Sequence, residues 1–221
     1  MKLKYIALAT ALFLAPAGGV SASWVLGPAL SVAADDGTFT TEVADSDMLH
    51  RKLPVYHGAN LLARARINGA IEVKARSFEE SLAKRNSTWK TEGWISWQEG
   101  MAGKDSPFTS FLLITSTYPD RAAHPTSYAH TMTFDSLGHR VTMGDLEKRM
   151  PHLTVGEVNR QIEIQCRERQ IPIFENHHTI RKLPDTFYIG KDSHLYLVFQ
   201  QYEIAPYSSG FIAIDMGEVQ G

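Results

Sequence analysis

The sequence predicts an α+β protein: antiparallel sheets each covered by a helix, in two lobes ordered strand–helix–strands and then strands–helix–strands. Three observations carry this. Two stretches place apolar residues at helical spacing, several others alternate or run apolar as strands do, and neighbouring strands are joined by loops too short for anything but an antiparallel return.

The first element is a targeting segment. Lys2 and Lys4 precede an apolar run from Tyr5 to Ala15, which Pro16, Gly18 and Gly19 break before the small residues Val20, Ser21 and Ala22. That order predicts a signal peptide over 1–22, with Ala34 marking a second cleavage point. The run is shorter than the roughly 20 apolar residues of a membrane span. Membrane attachment is therefore expected only if the signal stays uncleaved. The expected destination is secreted, periplasmic or cell-surface. Residues 23–47 are small, polar and acidic and read as a linker.

An N-terminal strand–helix–sheet lobe is expected over 48–120. Pro54 places its first strand at an edge. Ile67, Ile71, Ala75, Phe78 and Leu82 then recur at intervals of four, four, three and four, as on one helix face. Gly69 weakens that helix by about 1 kcal/mol relative to alanine, and Ser77 with Glu80 leaves open a second helix start. "TWKTEGWISWQEG" reads as a half-buried strand and "FTSFLLITSTY" as a central one.

A C-terminal α+β lobe is expected over 121–221. "SYAHTMTFD" alternates, and "SLGHRVTM" gives a turn and a short strand. Thr154 and Glu157 predict a capping box opening the second helix, and "FYIG", "HLYLVFQ" and "FIAIDM" are three further strands.

Composition narrows the function. Hydrophobic residues at 43% and charged residues at 21% are globular values, and a net charge of −2 without a basic run argues against nucleic acid. Cys166 is the single cysteine and continues the apolar face of Val155, Val158 and Ile162, so it reads as an inert buried thiol.

Two segments, "YPDRAAHPTSYAHTMTFDSLGHRVTMGDL" and "FYIGKDSHLYLVFQQYEIAPYSSGFIAIDM", resemble the C-terminal signatures of exported bacterial domains of uncharacterised function. Such domains form the extracytoplasmic region of lysozyme-sensing anti-sigma factors and the accessory domain of some cell-wall polysaccharide deacetylases. The resemblance implies an extracytoplasmic binding or sensing module, with lysozyme, a related muramidase or peptidoglycan as partner. Ala122 and Ala123 stand where those families carry a Gly-Gly pair, and Thr133 where they carry Asn. Only Met1 to Lys4 precede the apolar run, so no sigma-binding domain is expected.

The candidate ligand-binding residues lie in and beside "YEIAPYSSG". Pro206 fixes its own φ and extends Ala205, and Gly210 permits positive φ. Tyr202 and Tyr207 offer flat, amphipathic contact surface. Glu203 accepts local N–H groups, and His124 precedes Pro125 in a loop after a central strand. No catalytic residue is expected, since a Gly-x-Ser-x-Gly elbow is lacking and Cys166 faces the core. No metal site or cofactor is expected: His177 and His178 are adjacent and point apart in extended chain. The alternative is a cell-envelope hydrolase or deacetylase accessory using His124 and Glu203. An exposed tryptophan among Trp89, Trp94 and Trp97 offers a glycan-stacking surface.

Overall fold

The computed structural model describes residues 38–103, 106–175 and 179–220. The expected signal peptide, the linker up to residue 37 and the His177–His178 pair lie outside the described residues. Among the described residues no helix is long and apolar enough to cross a membrane.

The chain runs β1 (Phe39–Asp45), β2 (Leu49–Tyr56), α1 (Leu61–Asn86), β3 (Thr91–Glu99), β4 (Phe108–Pro119), β5 (Thr126–Asp135), α2 (Met143–Arg149), α3 (Val155–Glu168), β6 (Phe187–Ile189), β7 (His194–Phe199) and β8 (Ile212–Glu218). A five-stranded sheet has order β1-β2-β3-β4-β5, and a three-stranded sheet has order β6-β7-β8. The predicted α+β class holds.

α1 is one continuous helix. Asn60 accepts from the backbone N–H groups of Leu62 and Ala63, and Lys84 and Arg85 complement the dipole at the far end. Its buried face is Ala63, Ile67, Ile71, Ala75 and Leu82. The helix returns the chain so that β2 and β3 pair in parallel, Leu49 opposite Gly93 and Arg51 opposite Ile95. This corrects the expectation of wholly antiparallel sheets; a crossover helix is what a parallel neighbour requires. α1 lies so close over β3 that a Cβ at Gly93 would stand 2.5 Å from Leu82 Cδ2.

β4 is buried along nearly its whole length because both its faces are covered. Phe111 and Leu113 pack with Ile67, Ile71, Ile95 and Phe134 under α1. Leu112 and Ile114 face the other way, with Ala129, onto Tyr188, Tyr196, Val198, Phe211 and Ala213 of the second sheet. The opposite face of that sheet, with Leu197, Phe199 and Ile214, packs on Leu146 of α2 and on Val158, Ile162 and Cys166 of α3. The layers are therefore α1, large sheet, small sheet, then α2 with α3. Each large apolar side chain sealed in these interiors contributes roughly 1.5–3 kcal/mol. Cys166 is buried as expected, and burial pushes its thiol pKa up.

Four further expectations are corrected. β1 lies inside the span read as linker; apart from Phe39 it is an exposed edge strand, so it carries no alternation to detect. β5 follows residue 120 yet pairs with β4, so the larger sheet spans the expected division between lobes. "SLGHRVTM" gives a single bridge, Phe134 to Arg140, before α2. The full capping box sits on α2, between Thr142 and Asp145. At α3, Thr154 accepts from Glu157 N, but the Glu157 carboxylate is taken by Arg160 and Gln161.

Side-chain amides close several exposed backbone positions. Gln165 on α3 donates to Asp215 O at 2.7 Å and accepts from Asp215 N at 2.9 Å, doing for β8 what a neighbouring strand would do. Gln200 does the same for Ala129 on β5, at 2.9 and 3.0 Å. Such coverage satisfies an edge that would otherwise invite pairing.

Candidate functional site

The stretch from Tyr202 to Gly210 joins β7 to β8 and is anchored from beneath. Ile204 and Ala205 are buried in the interior shared with α2 and α3. Ile204 O accepts from Phe174 N at 3.0 Å. Pro206 has φ −59°, Ser209 N donates to Pro206 O at 2.9 Å, and Gly210 takes φ 67°. Tyr202 also has positive φ, 65°, an uncommon conformation for a tyrosine, and its side chain stands out 56% exposed.

The structure brings Tyr202, Tyr207 and His124 together. His124 comes from the loop after β4, and its ring stacks on Tyr207 with centroids 3.9 Å apart and planes 24° from parallel. Tyr202 lies 5.8 Å from Tyr207 and 6.2 Å from His124. The His124 tautomer follows from its partners. Pro125 O can only accept, so Nδ1–H donates to it at 3.0 Å, and Nε2 then accepts from the Tyr202 hydroxyl at 3.2 Å. Burial pushes the Tyr207 phenol up from its ordinary pKa.

Glu203 and Pro206 belong to the same loop but have different tasks. The Glu203 carboxylate accepts from Gln200 N at 2.7 Å, and desolvation holds its pKa above the ordinary glutamate value despite that bond. It is thus tied to its own turn instead of to His124. Pro206 sets the backbone between the buried Ala205 and the half-buried Tyr207. The cluster offers ring faces and hydroxyl groups, and its histidine is bonded to Pro125 and Tyr202 while the Glu203 carboxylate is bonded to Gln200.

A second polar cluster escaped the sequence reading. His194 Nδ1 lies 2.9 Å from Asp215 Oδ2, and the Tyr196 hydroxyl donates to Asp192 at 2.6 Å. The Asp215 carboxylate raises the His194 pKa. Pairing "HLYLVFQ" with "FIAIDM" in register is the signal that would have found it. The cleft beside it, about 530 Å³, is walled by α3 and β8. Among the described residues no group of three or more His, Cys, Asp or Glu is placed to hold a metal ion. Of Trp89, Trp94 and Trp97, Trp89 is the exposed one, at 68%, whereas Trp94 stacks on His50 and Trp97 packs by Phe39.

The comparison with known families falls on the part of the chain that carries the loop, a three-stranded sheet backed by α2 and α3. Residues 147–217 match DUF3298, a protein of unknown function. The DUF3298 segment covers the end of α2, all of α3 and the small sheet up to Gly217, and so includes the Tyr202–Gly210 loop but not His124. Two solved structures of DUF3298 proteins resemble the chain. One, from Bacteroides fragilis, is 13% identical, with 80% of this chain and 87% of that chain covered and a TM-score of 0.48. The other, from Pseudomonas aeruginosa, is 9% identical over the same shares, with a TM-score of 0.51, and speaks for the fold alone. No curated protein matches.

Proposed function

We propose that this chain is an exported, non-catalytic binding or sensing module that takes a protein or cell-wall ligand on the His124–Tyr202–Tyr207 cluster. Capture of lysozyme or a related muramidase is its most concrete form. The observation that carries this reading is the geometry of the cluster. His124 stacks on Tyr207 with Tyr202 tilted beside them, at a loop that a buried Ile-Ala pair, a proline and two positive-φ residues hold in one shape. Stiff aromatic surface loses little entropy on docking and is favoured at recognition sites. That Glu203 is bonded to Gln200 of its own turn, and His124 to Tyr202 and Pro125, supports a binding role over the hydrolase or deacetylase-accessory alternative, which needs the two together. Export is supported by the charged, then apolar, then small-residue order of the first 22 positions. The resemblance to the extracytoplasmic region of lysozyme-sensing anti-sigma factors supports the choice of ligand.

The test is retention of the purified protein on immobilised lysozyme and on insoluble peptidoglycan. One of the two should retain it, and Tyr202→Ala should weaken retention at least tenfold with little change in melting temperature. Absence of retention on both, or an unaltered variant, removes the reading.

A further inference from the structure

We infer that the cleft between α1 and β5 is an anion-binding site that takes the phosphate or carboxylate group of a small ligand between the Lys74 ammonium and the Arg140 guanidinium. The cleft measures about 610 Å³ and is separate from the aromatic cluster. Its volume lies within the range of small-molecule sites.

Charge is the first argument. Lys74 comes from the middle of α1 and Arg140 from the turn after β5, and both line the cleft. Among the described residues neither has a carboxylate within 4.0 Å, whereas Arg51 pairs with Glu79, Lys191 with Glu99 and Arg160 with Glu157. The rim carboxylate, Asp185, faces Lys182 at 3.7 Å. Arg140 is instead held by soft contacts: one N–H donates to Met132 Sδ at 2.8 Å, and the guanidinium lies 5.3 Å from the Phe134 ring centroid. That grip orients the group and leaves its other N–H donors open, as a planar fork for phosphate or carboxylate requires. Burial and the nearby Arg140 both lower the Lys74 pKa, so the two cations repel each other in a place where water screens them poorly. An anion between them would relieve both.

Shape is the second argument, and it is independent of charge. Gly69 lines the cleft from mid-helix, and a Cβ built there meets nothing within 4 Å. Packing does not require glycine at this position, and helix propensity opposes it. Its effect is to keep the cleft wall low beside Ala70 and the exposed Val73, giving the apolar body of a ligand a place to lie. His130 completes the wall. Its Nε2 is 2.9 Å from Thr115 Oγ1, and it stays neutral at pH 7, adding a ring without a third charge.

The experiment is calorimetric titration of inorganic phosphate, glucuronate and glucose into the full chain at low salt. At least one anion should bind saturably and glucose should not; which anion binds separates a phosphorylated source from a carboxylated one. Lys74→Gln and Arg140→Gln should each weaken binding about tenfold or more. Lys74 lies outside the buried face of α1, so its variant keeps the test valid even if Arg140→Gln fails to fold. The inference is overturned if neither anion saturates by about 10 mM, if glucose binds equally well, or if Lys74→Gln binds like the parent.

Discussion

The two clefts share a construction, a helix laid on a sheet, and differ in what their polar groups do. Beside α3, Gln165 and Arg169 bond to the backbone of β8, at Asp215 and Ala213, and His194 pairs with Asp215. Beside α1, Lys74 and Arg140 face an open cleft whose rim acid, Asp185, pairs with Lys182, and His130 is held neutral. The first arrangement is a seam that seals an edge. In the second, His130 and Arg140 are held by Thr115, Met132 and Phe134, and the two cations have no carboxylate within 4.0 Å among the described residues. Lining a cleft with polar residues is therefore a poor guide to a ligand site; asking whether those residues already have partners is a better one.

Acid should expose the difference most strongly. The His130 pKa is lowered from the ordinary histidine value of 6.5 to about 4, with burial the larger cause and Lys74 the smaller. Between those values the unfolded chain takes up a proton that the native state refuses, so stability falls as pH falls through that window. The loss should be on the order of 3 kcal/mol by pH 4. Urea unfolding at pH 7 and 4.5 should give a smaller difference for His130→Gln than for the parent. Next in size, Gln165→Leu should cost about 2 kcal/mol, because Asp215 N–H and C=O both lose their partner. Lys74→Met should change stability by no more than about 0.5 kcal/mol. Equal losses from the two variants would dissolve the contrast between seam and site.

An effect smaller than that of Gln165→Leu and of opposite sign is expected from Gly69→Ala, which should raise stability by about 0.5–1 kcal/mol in the same assay, since the new methyl meets nothing. Smallest is His194. Its folded pKa is raised by Asp215, so its contribution is complete below the unfolded value near 6.5 and fades as pH rises through the folded one. Its ring is 37% exposed, which screens the pair. His194→Gln should flatten a shallow decline in melting temperature above pH 6.5, leaving the steeper acid limb of His130 in place.

What was legible in the sequence was local. Ile67, Ile71 and Leu82 predicted the buried face of α1, Cys166 fell on the core side of α3, and Gly210 has the positive φ its position in the loop suggested. The loop residues Tyr202 and Tyr207 could be singled out because their backbone neighbours carry strong local preferences. Partnership across the chain was not legible. β1 shows a burial pattern that is exposed almost throughout, and the alternation of β5 marks a strand without marking which sheet it joins. Their pairing is set by contacts distant in sequence. Lys74 and Arg140 likewise belong to separate elements, and only Gly69, costly in a helix and unexplained by periodicity, hinted at that cleft.

The seam between the sheets has a practical corollary for anyone excising the matched family segment. Tyr188, Tyr196, Val198, Phe211 and Ala213 form one flank of that segment, and they are kept dry by Leu112, Ile114 and Ala129, all of which precede residue 147. Cut free at that boundary, the fragment would carry a wide greasy wall into water and should clump rather than stay dispersed. Useful truncations must retain β4 and β5.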